Sequence, residues 1–174
     1  MSETTSRYGA WLQSAYPAAE IKLDPKCDEL WDLFGLDDEP EEPEGLEDDE
    51  DYPYDRAAHF QDLLSRVPAD HRRLSQVSFE IDHSPGLSWD IEMTWFLAPA
   101  ENRAMEWMLY CINWDDNEGV YEVLFVAECR GFPSPELSAA AMLEAAFKNW
   151  SLHEDADYPG WKLVDQLKRA AGTD

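Results

Sequence analysis

The sequence predicts an α+β domain: a four-stranded antiparallel β-meander with two C-terminal helices on one face, short N-terminal helices and an acidic extended arm. Three observations lead there. From Ser75 onward, four successive segments place apolar residues at every second position, the repeat of a strand buried on one side. Short turn-forming stretches separate them (HSPGL at 83–87, APAENR at 98–103, DDNEG at 115–119), and parallel neighbours would need longer crossovers. After Ser134 the apolar spacing lengthens to that of helices.

In chain order, Tyr8, Trp11, Leu12 and Ala15 stand at helical spacing and predict a first helix over residues 6–15. LDPKCDELWDLFG predicts a second, with Asp24 as cap, Pro25 in the first turn and Gly35 at the end. Its stripe is Cys27, Leu30, Trp31 and Phe34. Residues 37–55 hold 12 carboxylates, three prolines and no Lys or Arg, a composition that favours an extended, solvated arm. A helix over 56–66 follows, carrying Ala57, Phe60, Leu63 and Leu64, and Val67-Pro68 stops it. The strands are QVSFEID, SWDIEMTWFL, AMEWMLYCINW and VYEVLFVAEC. Ser134-Pro135 opens the Ala-rich helix ELSAAAMLEAAFKNWSL. DYPGWKLVDQLKRAAG forms the last helix, with Trp161, Val164 and Leu167 inward and Gly172 at its end. The chain reads as one domain, residues 1–174: N-terminal helices at 1–36, the acidic arm at 37–55 and the α+β body at 56–174.

Turn lengths suggest a register. Setting Asp82 opposite Ser88 puts Glu80 opposite Asp90 and Phe79 opposite Ile91. Setting Trp114 opposite Val120 puts Leu109 opposite Phe125, Cys111 opposite Val123 and Glu106 opposite Glu128. Odd-numbered residues would then form one apolar surface for the C-terminal helices. The even face would divide into an acidic half (Glu80, Asp82, Asp90, Glu92) and an apolar half (Met108, Tyr110, Ile112, Leu124, Val126). An apolar half-face needs a cover; Trp11, Leu12, Trp31 and Phe34 are the expected one, with a partner or a second subunit as the alternative.

Charge separates the function classes. With 38 acidic and 13 basic residues the formal net charge is −25, and removing 37–55 still leaves −13. Such a field repels phosphate, which argues against direct nucleic-acid binding, and attracts basic surfaces. No apolar run approaches the length of a membrane span, and the N-terminus lacks the pattern of a signal peptide. Three cysteines without CxxC spacing fit a reducing compartment, so the expected location is cytoplasmic. The four histidines are scattered, and HExxH, GxSxG, Walker and dinucleotide motifs are all missing, so no cofactor or metal is expected. HEDAD at 153–157 reads as a polar link whose Asp caps the last helix, and NWDDNEG reads as a hairpin loop. DHRR at 70–73 reads as the close of a helix-to-strand turn.

The function expected is therefore non-enzymatic: a small acidic protein, monomer or homodimer, that binds and occludes a basic protein. That partner would be a toxin or a nucleic-acid-acting enzyme, and the chain an immunity protein or an inhibitor whose carboxylates stand where phosphates would sit. Asp48, Asp49, Glu50, Asp51, Glu80, Asp90 and Glu92 are the electrostatic candidates; Trp31, Phe34, Met108 and Tyr110 are the apolar anchors. Two other classes compete. One is an acidic chaperone or assembly adaptor using the apolar sheet patch. The other is an acid/base enzyme built on a pair such as Glu80/Asp90 or Glu106/Glu128, whose pKa values a shared site can split.

Overall fold

The computed structural model describes residues 12–25, 56–84, 87–101, 103–115, 120–149 and 158–172; residues 56, 79–84, 87–91, 114–115 and 120–122 are described by backbone position. The elements are α1 (Leu12–Ala15), β1 (Glu20–Leu23), α2 (Arg56–Leu64), β2 (Arg72–Ser84), β3 (Leu87–Pro99), β4 (Trp107–Asp115), β5 (Val120–Arg130), α3 (Pro135–Asn149) and α4 (Gly160–Ala170). The strands make one sheet in the order β1-β5-β4-β3-β2, with every neighbour antiparallel. β2 to β5 are the expected meander. The fifth strand, β1, is an addition to it. It pairs Glu20 with Arg130 and Leu23 with Ala127, and the Glu20 carboxylate meets the Arg130 guanidinium at 2.8 Å. Of the two helices expected before the arm, α1 covers the end of the first; residues 26–36, the body of the second, lie outside the described residues.

Register decides which side chains share a face. The β2–β3 hairpin has the expected one: Asp82 faces Ser88, Glu80 faces Asp90 and Phe79 faces Ile91. The β4–β5 hairpin does not. Asp115, not Trp114, faces Val120, so Tyr110 faces Phe125 and Cys111 faces Leu124. A β-bulge then leaves Val126 as an extra residue before Leu109 pairs with Ala127. The consequences are concrete. Leu124 and Val126 join the main core instead of the even face. Glu128 stands opposite Met108, so the Glu106/Glu128 pair does not form, and Glu106 Oε1 accepts the Gly131 N–H at 2.8 Å instead.

The main core lies between one face of the sheet and α3, α4 and α1. Ser134 Oγ accepts the Leu137 N–H at 3.1 Å and caps α3, whose stretch Leu137–Glu144 is buried throughout. Phe147 makes edge-on contacts with Trp95, Tyr158 and Trp161 at 5.9, 5.0 and 5.3 Å between ring centroids, tying sheet to helices. α4 turns Trp161, Val164 and Leu167 inward as expected; Pro159 stands at its N-terminus without a side-chain cap, and the HEDAD stretch at 153–157 lies outside the described residues. Gly172, at φ +78°, follows its end, donating to the Arg169 carbonyl at 3.0 Å.

A second, smaller core fills the other face. Phe60, Leu63 and Leu64 of α2, with Val67, pack on Phe96, Tyr110, Ile112 and Val123. This corrects the expected cover. α2 supplies it, Leu12 belongs to the main core on the opposite face, and Trp11, Trp31 and Phe34 lie outside the described residues. DHRR straddles the turn into β2, where Arg72 meets Glu136 at 3.3 Å and His71 stacks edge-on against Phe96.

Cys111 and Cys129 are both fully buried in the main core. Burial pushes the Cys129 thiol up to about 12, with the Ser138 hydroxyl opposing the rise and Glu106 adding to it. A thiol whose folded pKa lies above its unfolded value of about 8.5 keeps its proton longer in the folded state. Stability from this site is therefore whole below about pH 8.5 and falls as pH rises toward 12. The native protein is expected to resist iodoacetamide at Cys111 and Cys129 at pH 8 and to be alkylated at both in denaturant, as read by peptide mass spectrometry. Modification of Cys129 under native conditions at a rate comparable to that in denaturant would contradict the packing described.

Candidate functional site

The acidic positions lie toward the β2–β3 turn, and α2 covers the apolar half of the face that carries Glu92. Ala57, Phe60 and Gln61 of α2 form one wall of a cleft of about 490 Å³; Arg73, Gln76, Glu92, Thr94 and Ile112 form its floor and far wall. Thr94 and Ile112 are buried, Glu92 is half-buried, and Arg73 and Gln76 are exposed. Arg73 Nη2 donates to Gln76 Oε1 at 3.3 Å.

From Glu92 the register leads outward along the hairpin. Ser78 faces Glu92, Glu80 faces Asp90 and Asp82 faces Ser88. All four acids are at even-numbered positions, which the two-residue period of a strand assigns to one face. Like charges directly opposed across a sheet cost up to about 1 kcal/mol. β2 and β3 are the last two strands in the sheet order, so this hairpin forms its outer margin.

Asp48, Asp49, Glu50, Asp51, Trp31 and Phe34 lie outside the described residues. The acidic run ends at Asp55, one residue before α2 begins at Arg56, and Ala57 lines the cleft. The two expected sheet anchors stand apart from it. Met108 is buried at 6% exposure, and Tyr110 is half-buried, its hydroxyl 3.7 Å from the Met108 sulfur and its ring 5.5 Å from Phe125. Burial raises the Tyr110 pKa, and the Glu101 and Glu128 carboxylates raise it further.

Residues that sequence reasoning did not assign to the site are Ala57 and Gln61 on α2 and Arg73, Gln76 and Thr94 on the sheet. The signal for α2 was present: Phe60, Leu63, Leu64 and Val67 follow helical spacing and match the apolar half-face in size. What the sequence lacks is any mark of which surface that stripe meets.

A larger cleft of about 590 Å³ lies near the opposite edge, between α1, β1 and α3, lined by Ile21, Leu23, Ala141 and Lys148 among others. Its buried carboxylate, Glu144, is committed to structure: Oε2 accepts the Leu12 N–H at 2.9 Å, and Oε1 pairs with Lys168. The smaller cleft is the better candidate because it adjoins the acidic hairpin. Among the described residues no group of three His, Cys, Asp or Glu side chains is placed to hold a metal, and no helix is long and apolar enough to cross a membrane. No protein-family model, curated protein or solved structure gives a significant match to this chain.

Proposed function

We propose that this protein binds and occludes a basic protein partner, as an immunity protein or an inhibitor imitating a nucleic acid would. The observation that carries the reading is the register of the marginal hairpin. Glu80 opposite Asp90, flanked by Glu92 and Asp82, concentrates like charge at a local cost, on a chain of net charge −25. Its electrostatic residues are Glu80, Asp90 and Glu92 on the hairpin, and Asp48, Asp49, Glu50 and Asp51 in the acidic run that precedes α2 in the sequence. The partner is a toxin or an enzyme that acts on nucleic acid, and its basic groove is what the carboxylates fill. Charge steers the encounter, at about 10⁸ M⁻¹s⁻¹ or above at low salt, and aromatic anchors hold the complex.

The chaperone reading needs a free apolar patch. Ile112 is 1% exposed beneath α2 and Leu124 packs toward the main core, which weighs against it. An acid/base enzyme would centre on Glu80 and Asp90 now that Glu106 and Glu128 are apart.

The test is affinity capture from the source cell at low and at moderate ionic strength. The expected result is a basic protein retained at low salt and released as salt rises, and retained poorly by a variant carrying Glu80→Gln, Asp90→Asn and Glu92→Gln. Retention that ignores both salt and the three substitutions would contradict the proposal.

A further inference from the structure

The sheet has two margins, and they are unlike. β1 spans four residues; β2 spans thirteen, a line of about 43 Å at the usual rise per residue. Edge strands are ordinarily guarded by prolines, lysines, bulges or brevity, because an open row of N–H and C=O groups recruits another strand. β2 has register shifts near its two ends, between Arg73 and Ser75 and between Asp82 and Ser84. Between them run eight residues in unbroken register, Ser75–Asp82 opposite Trp95–Ser88. That stretch, SQVSFEID, holds no proline, lysine or glycine, and its charged residues, Glu80 and Asp82, are both acids. Among the described residues no strand pairs its outer side.

Acids on an edge select what can join it. A second copy would bring its own −25 to the same line, and like charges oppose that pairing. A strand carrying Lys or Arg meets the opposite situation. The even positions of the stretch are Gln76, Ser78, Glu80 and Asp82, with Asp90 and Glu92 across the hairpin; its odd positions are Ser75, Val77, Phe79 and Ile81, with Val77 buried in the main core. A matching strand would therefore alternate basic and apolar residues, basic on the acidic face and apolar on the other.

We propose that the outer edge of β2, over Ser75–Asp82, receives an extended segment of the partner as a sixth strand, with basic residues at alternate positions. The inference deepens the basic-partner reading and rests on it: charge supplies selection, and the main chain of β2 supplies the docking line.

The probe is a short synthetic peptide alternating lysine with valine, added to the full-length protein at low ionic strength. Two control peptides carry N-methyl groups on one or the other alternate set of backbone amides. A strand joins through one of its two edges, so one methylation pattern is expected to weaken binding by about tenfold or more while the other is tolerated. The outward amides of Ser75–Asp82 are expected to gain protection from hydrogen exchange only with the peptides that bind. Binding that ignores both methylation patterns and leaves exchange at 75–82 unchanged would overturn strand addition while leaving the basic-partner reading intact. No binding by any of the three peptides would count against both. Protection at 75–82 that grows with protein concentration, without peptide, would assign the edge to a second copy and overturn the proposal.

Discussion

Phe147→Ala is expected to destabilise the protein by about 3–5 kcal/mol, lowering the melting temperature by about 10 °C or more. The size follows from position. Phe147 is fully buried and touches three aromatic rings, one from the sheet (Trp95), one from the segment entering α4 (Tyr158) and one from α4 itself (Trp161). The space around it is already filled: a Cβ on Gly160 would come within 2.7 Å of the Phe147 ring. Truncation therefore leaves a cavity that α4 cannot close without moving, and the ring contacts vanish with it. Phe147→Leu keeps most of the volume and is expected to cost less than half as much. Urea unfolding of the three proteins measures both values. Equal stability of Phe147→Ala and the parent would mean that α4 is not held by this cluster.

Lys168→Met is the second large effect, expected at about 3 kcal/mol. Glu144 and Lys168 pair across α3 and α4 with side chains 4% and 15% exposed, and the Leu12 N–H occupies the other Glu144 oxygen. Removing the ammonium leaves a carboxylate in the core with the Leu12 N–H as its remaining described partner. The double variant Glu144→Leu with Lys168→Met removes both charges and is expected to recover most of the loss, because the penalty belongs to the unpaired ion. Hydrogen exchange at Leu12 should rise in the double variant, where its acceptor is gone, while stability returns. A double variant as unstable as the single one would assign the loss to packing by the Lys168 stem.

Much of this fold was legible because local rules decided it. The short HSPGL connection left few choices for the β2–β3 pairing, so the opposition of Glu80 and Asp90 could be read from spacing. The Ser134 cap and the Ala-rich run settled α3 in the same way. The β4–β5 register was not legible because Val126 and Ala127 are both apolar and both enter the core, so nothing in the pattern marks the bulge between them. β1 was missed because EIKL is short and has only two apolar residues, and its pairing with β5 spans most of the chain. The α2 cover of the second face, and the place of Leu12 on the other, were not legible for a related reason. α2 and the N-terminal segments offer similar apolar stripes, and choosing between them depends on where the chain travels. The acidic hairpin was visible in the sequence; the cleft beside it, which needs α2 docked over Ile112, was not.

The carboxylates of the marginal hairpin and of Asp48–Asp51 are proposed to capture a basic partner. This role is tested most directly by stopped-flow association of the captured partner across a range of ionic strength. Three proteins are compared: the parent, a variant with Glu80→Gln, Asp90→Asn and Glu92→Gln, and one with Asp48, Asp49 and Asp51 changed to Asn and Glu50 to Gln. The parent is expected to associate fastest at low salt and to slow steeply as salt rises; each variant should start about tenfold slower or more and show a shallower slope. Identical rates and slopes in all three would contradict the claim and leave the charge of this protein without a role in binding.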